Sequence, residues 1–194
     1  MKKLTAMILA LAMLLAVALG TAEQAAGEKT LIGMSLAEVK EMMGRTPDYQ
    51  YDIKEGMTDV EYLEAYFADM KTSAAFILEN DKVVMGGFYG FDGMDVSEID
   101  KVKQAIADEY GEPFTISGEA VKALFEMISG MESYFTFTNV SGWQPDDETV
   151  ALAFQVGLEY EQQIYVVFVS ADYAAQAGIV AGPDAPVLKP EAED

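Results

Sequence analysis

The spacing of apolar residues predicts a short helix over residues 36–43. Ser35 and Glu38 form a capping box at its start, because each side chain can bond the backbone N–H of the other residue. Gly44 is placed to end the helix, and Pro47 prevents it from continuing. The apolar face consists of Leu36, Val39 and Met43.

Two further helices are predicted in the middle of the chain, over residues 96–110 and 118–128. The first of these ends at Gly111, which Pro113 follows, so the order helix, glycine, proline occurs twice in the chain. The apolar positions are Ile99, Val102, Ile106 and Tyr110 in one helix and Val121, Leu124, Phe125 and Ile128 in the other.

Strands are predicted between these helices. Residues 74–78 and 83–91 form a hairpin, because Asn80-Asp81 accepts the positive φ angles that a two-residue turn requires. Residues 60–67 are ambiguous, since their aromatic content favours a strand but a helical spacing is also present. In a strand, Val60, Tyr62 and Tyr66 would share one face, and Leu63 and Phe67 the other.

Three more strands are predicted over residues 134–143, 149–156 and 164–169. A helix followed by three β segments therefore occurs twice, with one extra helix in the second copy. We expect an α+β fold of two tandem helix-plus-antiparallel-meander units, residues 31–94 and 95–172, with the helices packed on one sheet face. The sequence leaves open whether the two units share one sheet.

The ends of the chain differ from this core in composition. Lys2 and Lys3 precede an apolar run and then small residues, which is typical of a secretory signal peptide over residues 1–20, cleaved near Gly20–Ala22. Residues 21–30 are expected to be a flexible leader, and residues 173–194 a disordered acidic tail. We expect a secreted, extracellular or periplasmic protein without a membrane span.

The side-chain inventory excludes several classes of function. The formal net charge is −21, which disfavours binding to nucleic acids and anionic lipids. The chain has neither histidine nor cysteine, so a Ser-His-Asp or Cys-His site cannot form, nor can a zinc site that uses those ligands. We expect no enzyme activity, no cofactor and no metal. Two acidic clusters are more simply a helix cap and a turn: Asp92, Asp95 and Glu98, and Asp146, Asp147 and Glu148.

The first half of the chain resembles a known unit. Gly33-Met34-Ser35, Val39, Gly44 and Pro47, followed by the hairpin over residues 74–91, are similar to the αβββ unit of β-lactamase inhibitor proteins. The same unit occurs in small outer-membrane assembly lipoproteins of the SmpA/OmlA type. The second half matches only in Gly111, Pro113 and the order of elements. The resemblance implies a non-catalytic scaffold that binds proteins, and it transfers no inhibitory residues.

Aromatic side chains are the best candidates for contacts with a partner, because they give a large contact area at little cost in side-chain entropy. We expect a face of the sheet that is free of helices to present them, next to acidic residues, to an extracellular or envelope protein. Inhibition of a hydrolase is one specific form of this hypothesis; an envelope assembly factor and a small-ligand carrier are alternatives. The candidate residues are Tyr49, Tyr51, Tyr62, Tyr66, Tyr89, Trp143 and Tyr165.

Overall fold

A computed structural model describes residues 31–130, 132–158 and 161–179 of the chain. The predicted signal peptide and leader therefore lie outside the described residues. Helix α1 (Leu36–Met43) confirms the first prediction: Ser35 and Glu38 form both bonds of the capping box, and Gly44 takes a left-handed conformation at the end.

Four strands follow α1, each antiparallel to its neighbour. They are β1 (Tyr49–Lys54), β2 (Met57–Phe67), β3 (Met70–Glu79) and β4 (Lys82–Tyr89). The β3–β4 hairpin confirms the prediction, with φ angles of 49° at Asn80 and 63° at Asp81. Residues 60–67 lie in a strand, as their aromatic content favoured.

The second half contains more helix. After a 3₁₀ turn (Val96–Glu98), helix α2 spans Ile99–Tyr110, and the two-residue strand β5 (Phe114–Thr115) leads into helix α3 (Gly118–Ser129). Both predicted helices are confirmed. The remaining elements are β6 (Thr136–Asp146), β7 (Thr149–Leu158), β8 (Glu161–Ser170) and helix α4 (Ala171–Gln176).

All eight strands belong to a single antiparallel sheet with the order β1-β2-β3-β4-β8-β7-β6-β5. The two halves of the chain meet where β4 pairs with β8, from Met85 opposite Val169 to Tyr89 opposite Tyr165. The expected architecture of two tandem helix-plus-meander units is therefore wrong. The strands of both halves form this one sheet, and among the described strands β1 and β5 lie at its two ends.

Helices cover both faces of this sheet, which corrects the expectation that they pack on one face. Helices α1 and α2 share one apolar core, which includes Val39, Val102 and Phe76. Helices α3 and α4 belong to a second core, which includes Leu124, Ala174 and Phe154. We call the two sides the α1–α2 face and the α3–α4 face. The sheet can bury apolar residues on both sides, because side chains alternate along each strand.

A bulge in β2 overturns the predicted faces of its side chains. Tyr62 lies opposite Ala74, but Ala65 lies opposite Thr72, so β2 has one residue more than β3 in this stretch. The extra residue shifts the alternation, and Tyr62 and Tyr66 end on opposite faces of the sheet. Tyr62 is fully buried on the α1–α2 face, whereas Leu63 is exposed.

The expected disordered tail is wrong for its first residues. Ser170 caps α4, and Ala174 and the following Ile179 are buried beside α3. Because small residues dominate this segment, its composition did not indicate that it forms a short packed helix. The rest of the predicted tail, residues 180–194, lies outside the described residues.

Contact between α3 and β6 provides a test of the fold. A Cβ atom at Gly118 would lie 2.1 Å from the carbonyl oxygen of Phe137. We expect Gly118→Ala to lower the free energy of unfolding by about 1–3 kcal/mol, because the helix must move away from the strand. Urea denaturation measures this. The exposed neighbour Glu119 is the control, and Glu119→Ala should cost less than about 1 kcal/mol. Equal losses in the two variants would contradict the close packing.

Candidate functional site

The α3–α4 face is covered over its second half only. Helix α3 lies over β6 and α4 beside β7 and β8, and the described helices make few contacts with β1, β2 and β3 on this face, although Met57 of β2 is buried in the same core. A cavity of about 570 Å³ occupies the space beside α3. We call it the sheet groove; residues of β1 to β4, β8 and α3 line it.

Small residues set the depth of the sheet groove. Ala75 on β3 lies opposite Gly87 on β4, and Gly87 lies opposite Val167 on β8. A Cβ atom at Gly87 would lie 2.9 Å from the carbonyl oxygen of Val166, so a larger residue would force the backbone to move. Ile77 and Met85 continue the floor towards the β3–β4 turn. The floor is therefore apolar, and it is deepest at Ala75 and Gly87, where the side chains are smallest.

The C-terminal half of α3 forms one wall of the groove. Phe125, Ile128 and Ser129 reach its edge. The ring of Phe125 packs edge-to-face on Phe154, with 5.8 Å between the centroids, and also contacts Phe137. These contacts between rings fix the position of the helix over the sheet.

A row of stacked rings forms one end of the groove. Tyr89 and Tyr165 stack with 5.5 Å between their centroids, and Phe154 stacks on the other side of Tyr165 at 5.8 Å. Burial, and then the charge of Glu61, raises the pKa of Tyr89 to about 12. Both tyrosines are half-buried and keep their protons at neutral pH, so this end offers neutral ring surface and hydroxyl groups.

The wall opposite α3 is acidic. The Tyr51 hydroxyl lies 2.9 Å from Oδ2 of Asp59 and 2.9 Å from Oε1 of Glu61. One hydroxyl has one proton to donate, so the two carboxylates share a single donor. The other oxygen of Asp59, Oδ1, is shielded from solvent and has no hydrogen-bond partner among the described residues. Burial is the largest cause that raises the pKa of Asp59, and the charge of Glu61 adds to it.

A second cavity of about 240 Å³ adjoins the sheet groove at the C-terminal end of α3. It shares Phe125, Ser129 and Tyr165 with the groove and continues past Phe135, whose side chain is 48% exposed. The two cavities together form a continuous apolar depression beside α3.

The candidate residues from the sequence divide into three groups. Tyr51, Tyr89 and Tyr165 line the sheet groove. Tyr49 is exposed on β1, two residues from Tyr51 and on the same face, but it is outside the lining, as is Tyr66.

Tyr62 and Trp143 are fully buried in the core of the α1–α2 face, so they are not available to a partner. The Tyr62 ring packs edge-to-face on Phe76, and the indole N–H of Trp143 donates to the carbonyl oxygen of Gly111 at 3.0 Å.

Sequence reasoning missed Asp59, Glu61 and Phe125 as members of the site. Asp59 and Glu61 alternate with Val60 in β2, so a shared face was readable from the sequence once a strand was chosen. What the sequence does not contain is the register that places them beside Tyr51. Phe125 was assigned to an apolar helix face, and its position at a groove follows only from the uncovered half of the sheet.

Within the part of the chain that the structure describes, no group of three or more acidic residues is arranged to hold a metal ion. Asp95 caps the 3₁₀ turn, and Oδ1 of Asp146 accepts a bond from the backbone N–H of Glu148 in the β6–β7 turn. Among the same described residues, no helix is long and apolar enough to cross a membrane.

Comparisons with protein-family models, with curated proteins and with solved structures each find no match to this chain. The resemblance to β-lactamase inhibitor proteins and assembly lipoproteins therefore stays a prediction.

The acidic wall predicts a pH-dependent stability. The folded protein holds the proton of Asp59 to a higher pH than the unfolded chain does. The contribution of Asp59 to the free energy of unfolding is therefore fully present below its pKa in the unfolded chain, and it is lost as the pH rises through its pKa in the folded protein. We expect Asp59→Asn to raise the free energy of unfolding at neutral pH and to change it little near pH 3, where the carboxyl is protonated in both states.

Urea denaturation at both pH values measures this difference. Asp147 is exposed in the β6–β7 turn, so Asp147→Asn controls for the change in net charge. A loss of stability at neutral pH in Asp59→Asn, or the same gain in both variants, would contradict the claim that burial of the Asp59 carboxylate destabilises the folded protein.

Proposed function

We propose that the chain is an exported, non-catalytic binding protein that takes a segment of another extracellular or envelope protein into the sheet groove. The observation that carries this proposal is the groove in the half of the α3–α4 face formed by β1 to β4, with its apolar floor, its acidic wall and the stacked tyrosines at one end. An exposed apolar depression of this size on a soluble domain is typical of a binding site.

The shape and chemistry of the groove support a protein partner. Its volume of about 570 Å³ admits several side chains, and the adjoining cavity lengthens the path along α3. Burial of apolar groups on Ala75 and Ile77 would supply the affinity, because it removes the floor from water. The tyrosine rings lose little rotamer entropy on binding and present hydroxyl groups for orientation.

Two features of the sequence support export and a non-catalytic role. The predicted signal peptide over residues 1–20 would direct the chain out of the cytoplasm. A chain without histidine and cysteine lacks the side chains most often used as a general base or as an activated thiol nucleophile.

A small-ligand carrier is the second candidate, because the groove volume lies in the range of about 300–1,000 Å³ that small-molecule sites occupy. The adjoining cavity favours a peptide segment, since it extends the depression beyond the length of a compact ligand. A native mass spectrum of the secreted protein separates the two: a carrier retains a bound small molecule, whereas the protein-binding proposal expects the mass of the free chain.

A groove-filling variant tests the proposal. Ala75→Phe places a ring on the groove floor, and Ala175→Phe adds the same ring at an exposed position of α4. Partners captured from the medium or envelope by the wild-type protein are identified, purified and titrated against all three proteins. We expect Ala75→Phe to weaken binding by about tenfold or more and Ala175→Phe to leave it unchanged. Equal affinity for the two variants, or no partner that binds after purification, would remove the proposal.

A further inference from the structure

We infer that the segment bound in the sheet groove carries a basic side chain, lysine or arginine, which enters between Asp59 and Glu61 while flanking apolar residues occupy the floor. This inference rests on the proposed function. It adds to that proposal the chemistry by which the partner is recognised.

The geometry of the acidic wall defines a place for one cation. Oδ2 of Asp59 and Oε1 of Glu61 are both 2.9 Å from the same hydroxyl oxygen of Tyr51, so they lie within about 6 Å of each other. An ammonium or guanidinium group beside the Tyr51 hydroxyl is within reach of charge-assisted hydrogen bonds to both carboxylates. Tyr51 itself donates one proton, so it leaves acceptor positions on these carboxylates unfilled.

Among the described residues, no lysine or arginine fills this place. None of the described residues that line the groove is lysine or arginine. The ion pairs formed by described residues near this half of the sheet, Arg45 with Asp48 and Lys71 with Glu64, use other carboxylates. A basic side chain of the partner would supply the complementary charge that the described residues lining the groove lack.

The rest of the groove suits the stem of a basic side chain. Ala75 and Ile77 form an apolar floor beside the two carboxylates, on which methylene groups can lie. The rings of Tyr51 and Tyr89 are close by, and a cation near an aromatic face gains a further attraction. A basic residue with apolar neighbours thus matches the wall, the floor and the rings together.

Other occupants fit these observations less well. An acidic segment or an anionic lipid surface would be repelled by the carboxylates and by the net charge of −21. A second copy of the chain carries that same charge. A bound metal ion would need more ligands than this wall supplies, since no group of three acidic side chains in the described part of the chain is arranged to hold one.

Three synthetic peptides test the inference directly. They share the sequence Leu-Ala-Xaa-Ala-Leu with blocked ends, and Xaa is lysine, glutamine or glutamate. Chemical-shift titrations of the ¹⁵N-labelled protein without its signal peptide give the dissociation constant and the position of binding. We expect the lysine peptide to bind about tenfold more tightly than the glutamine peptide, and the glutamate peptide to bind most weakly.

Matched variants assign the preference to the acidic wall. Glu61→Gln should reduce the affinity for the lysine peptide by about fivefold and leave the glutamine peptide within about twofold. Glu55→Gln removes the same charge from an exposed turn outside the groove, and it should change neither affinity by more than about twofold.

The outcomes separate the inference from the proposed function. Equal binding of the three peptides in the groove would contradict the preference for a basic side chain and leave the protein-binding proposal intact. An equal loss in Glu61→Gln and Glu55→Gln would also overturn it, because the preference would then be a property of the net charge. Failure of all three peptides to shift groove signals would overturn it too, while the Ala75→Phe titrations decide the proposed function on their own.

Discussion

The pairing of β4 with β8 is the contact on which the rest of the structure depends. It joins two halves of the chain that are each incomplete as a sheet, and it does so through two adjacent glycines. A Cβ atom at Gly86 would lie 2.7 Å from the ring of Phe76 on one face, and a Cβ atom at Gly87 would lie 2.9 Å from the backbone oxygen of Val166. A side chain at Gly87 would therefore force the backbone at the join to move, and one at Gly86 would force the packing against Phe76 to change. It also brings Tyr89 and Tyr165 together, since they come from different halves and stack only because their strands are neighbours.

An unequal distribution of helices over this sheet creates the groove. On the α1–α2 face each half contributes one helix, and the core runs across the join. On the α3–α4 face both helices come from the second half. The floor beside α3 is apolar because it continues the pattern of a buried strand, and part of it, at Ala75 and Ile77, stays accessible in the groove. The acidic wall adds negative charge beside this apolar surface, and these two properties are the reason why we propose a partner segment that is both apolar and basic.

Local signals in the sequence predict most of the elements, and long-range pairing explains what they miss. Ser35 and Glu38, the Asn80-Asp81 turn and the spacing of Val121, Leu124 and Ile128 each determine structure within a few residues, and those predictions are confirmed. The arrangement of the halves depends on contacts between β4 and β8, about 80 residues apart, for which a single sequence contains no signal. The bulge after Tyr62 likewise reversed a face that strict alternation had assigned. Three of the seven candidate aromatic residues line the groove, and two of them, Tyr89 and Tyr165, lie in strands that the sequence predicts. The position of the carboxylates beside them depends on the register of β1 and β2.

Native-state hydrogen exchange of the backbone amides tests the joined sheet, and with it the groove, most directly. In an interior pair of strands the amides open only with global unfolding, whereas edge strands exchange by local fraying. The structure predicts that amides of β4 and β8 at the join, including Gly87 and Val167, are among the most protected in the protein, and that β1 at the sheet edge exchanges much faster. Exchange of β4 as fast as that of β1 would show that the two halves do not form one sheet. That result would contradict both the groove and the binding proposal that depends on it.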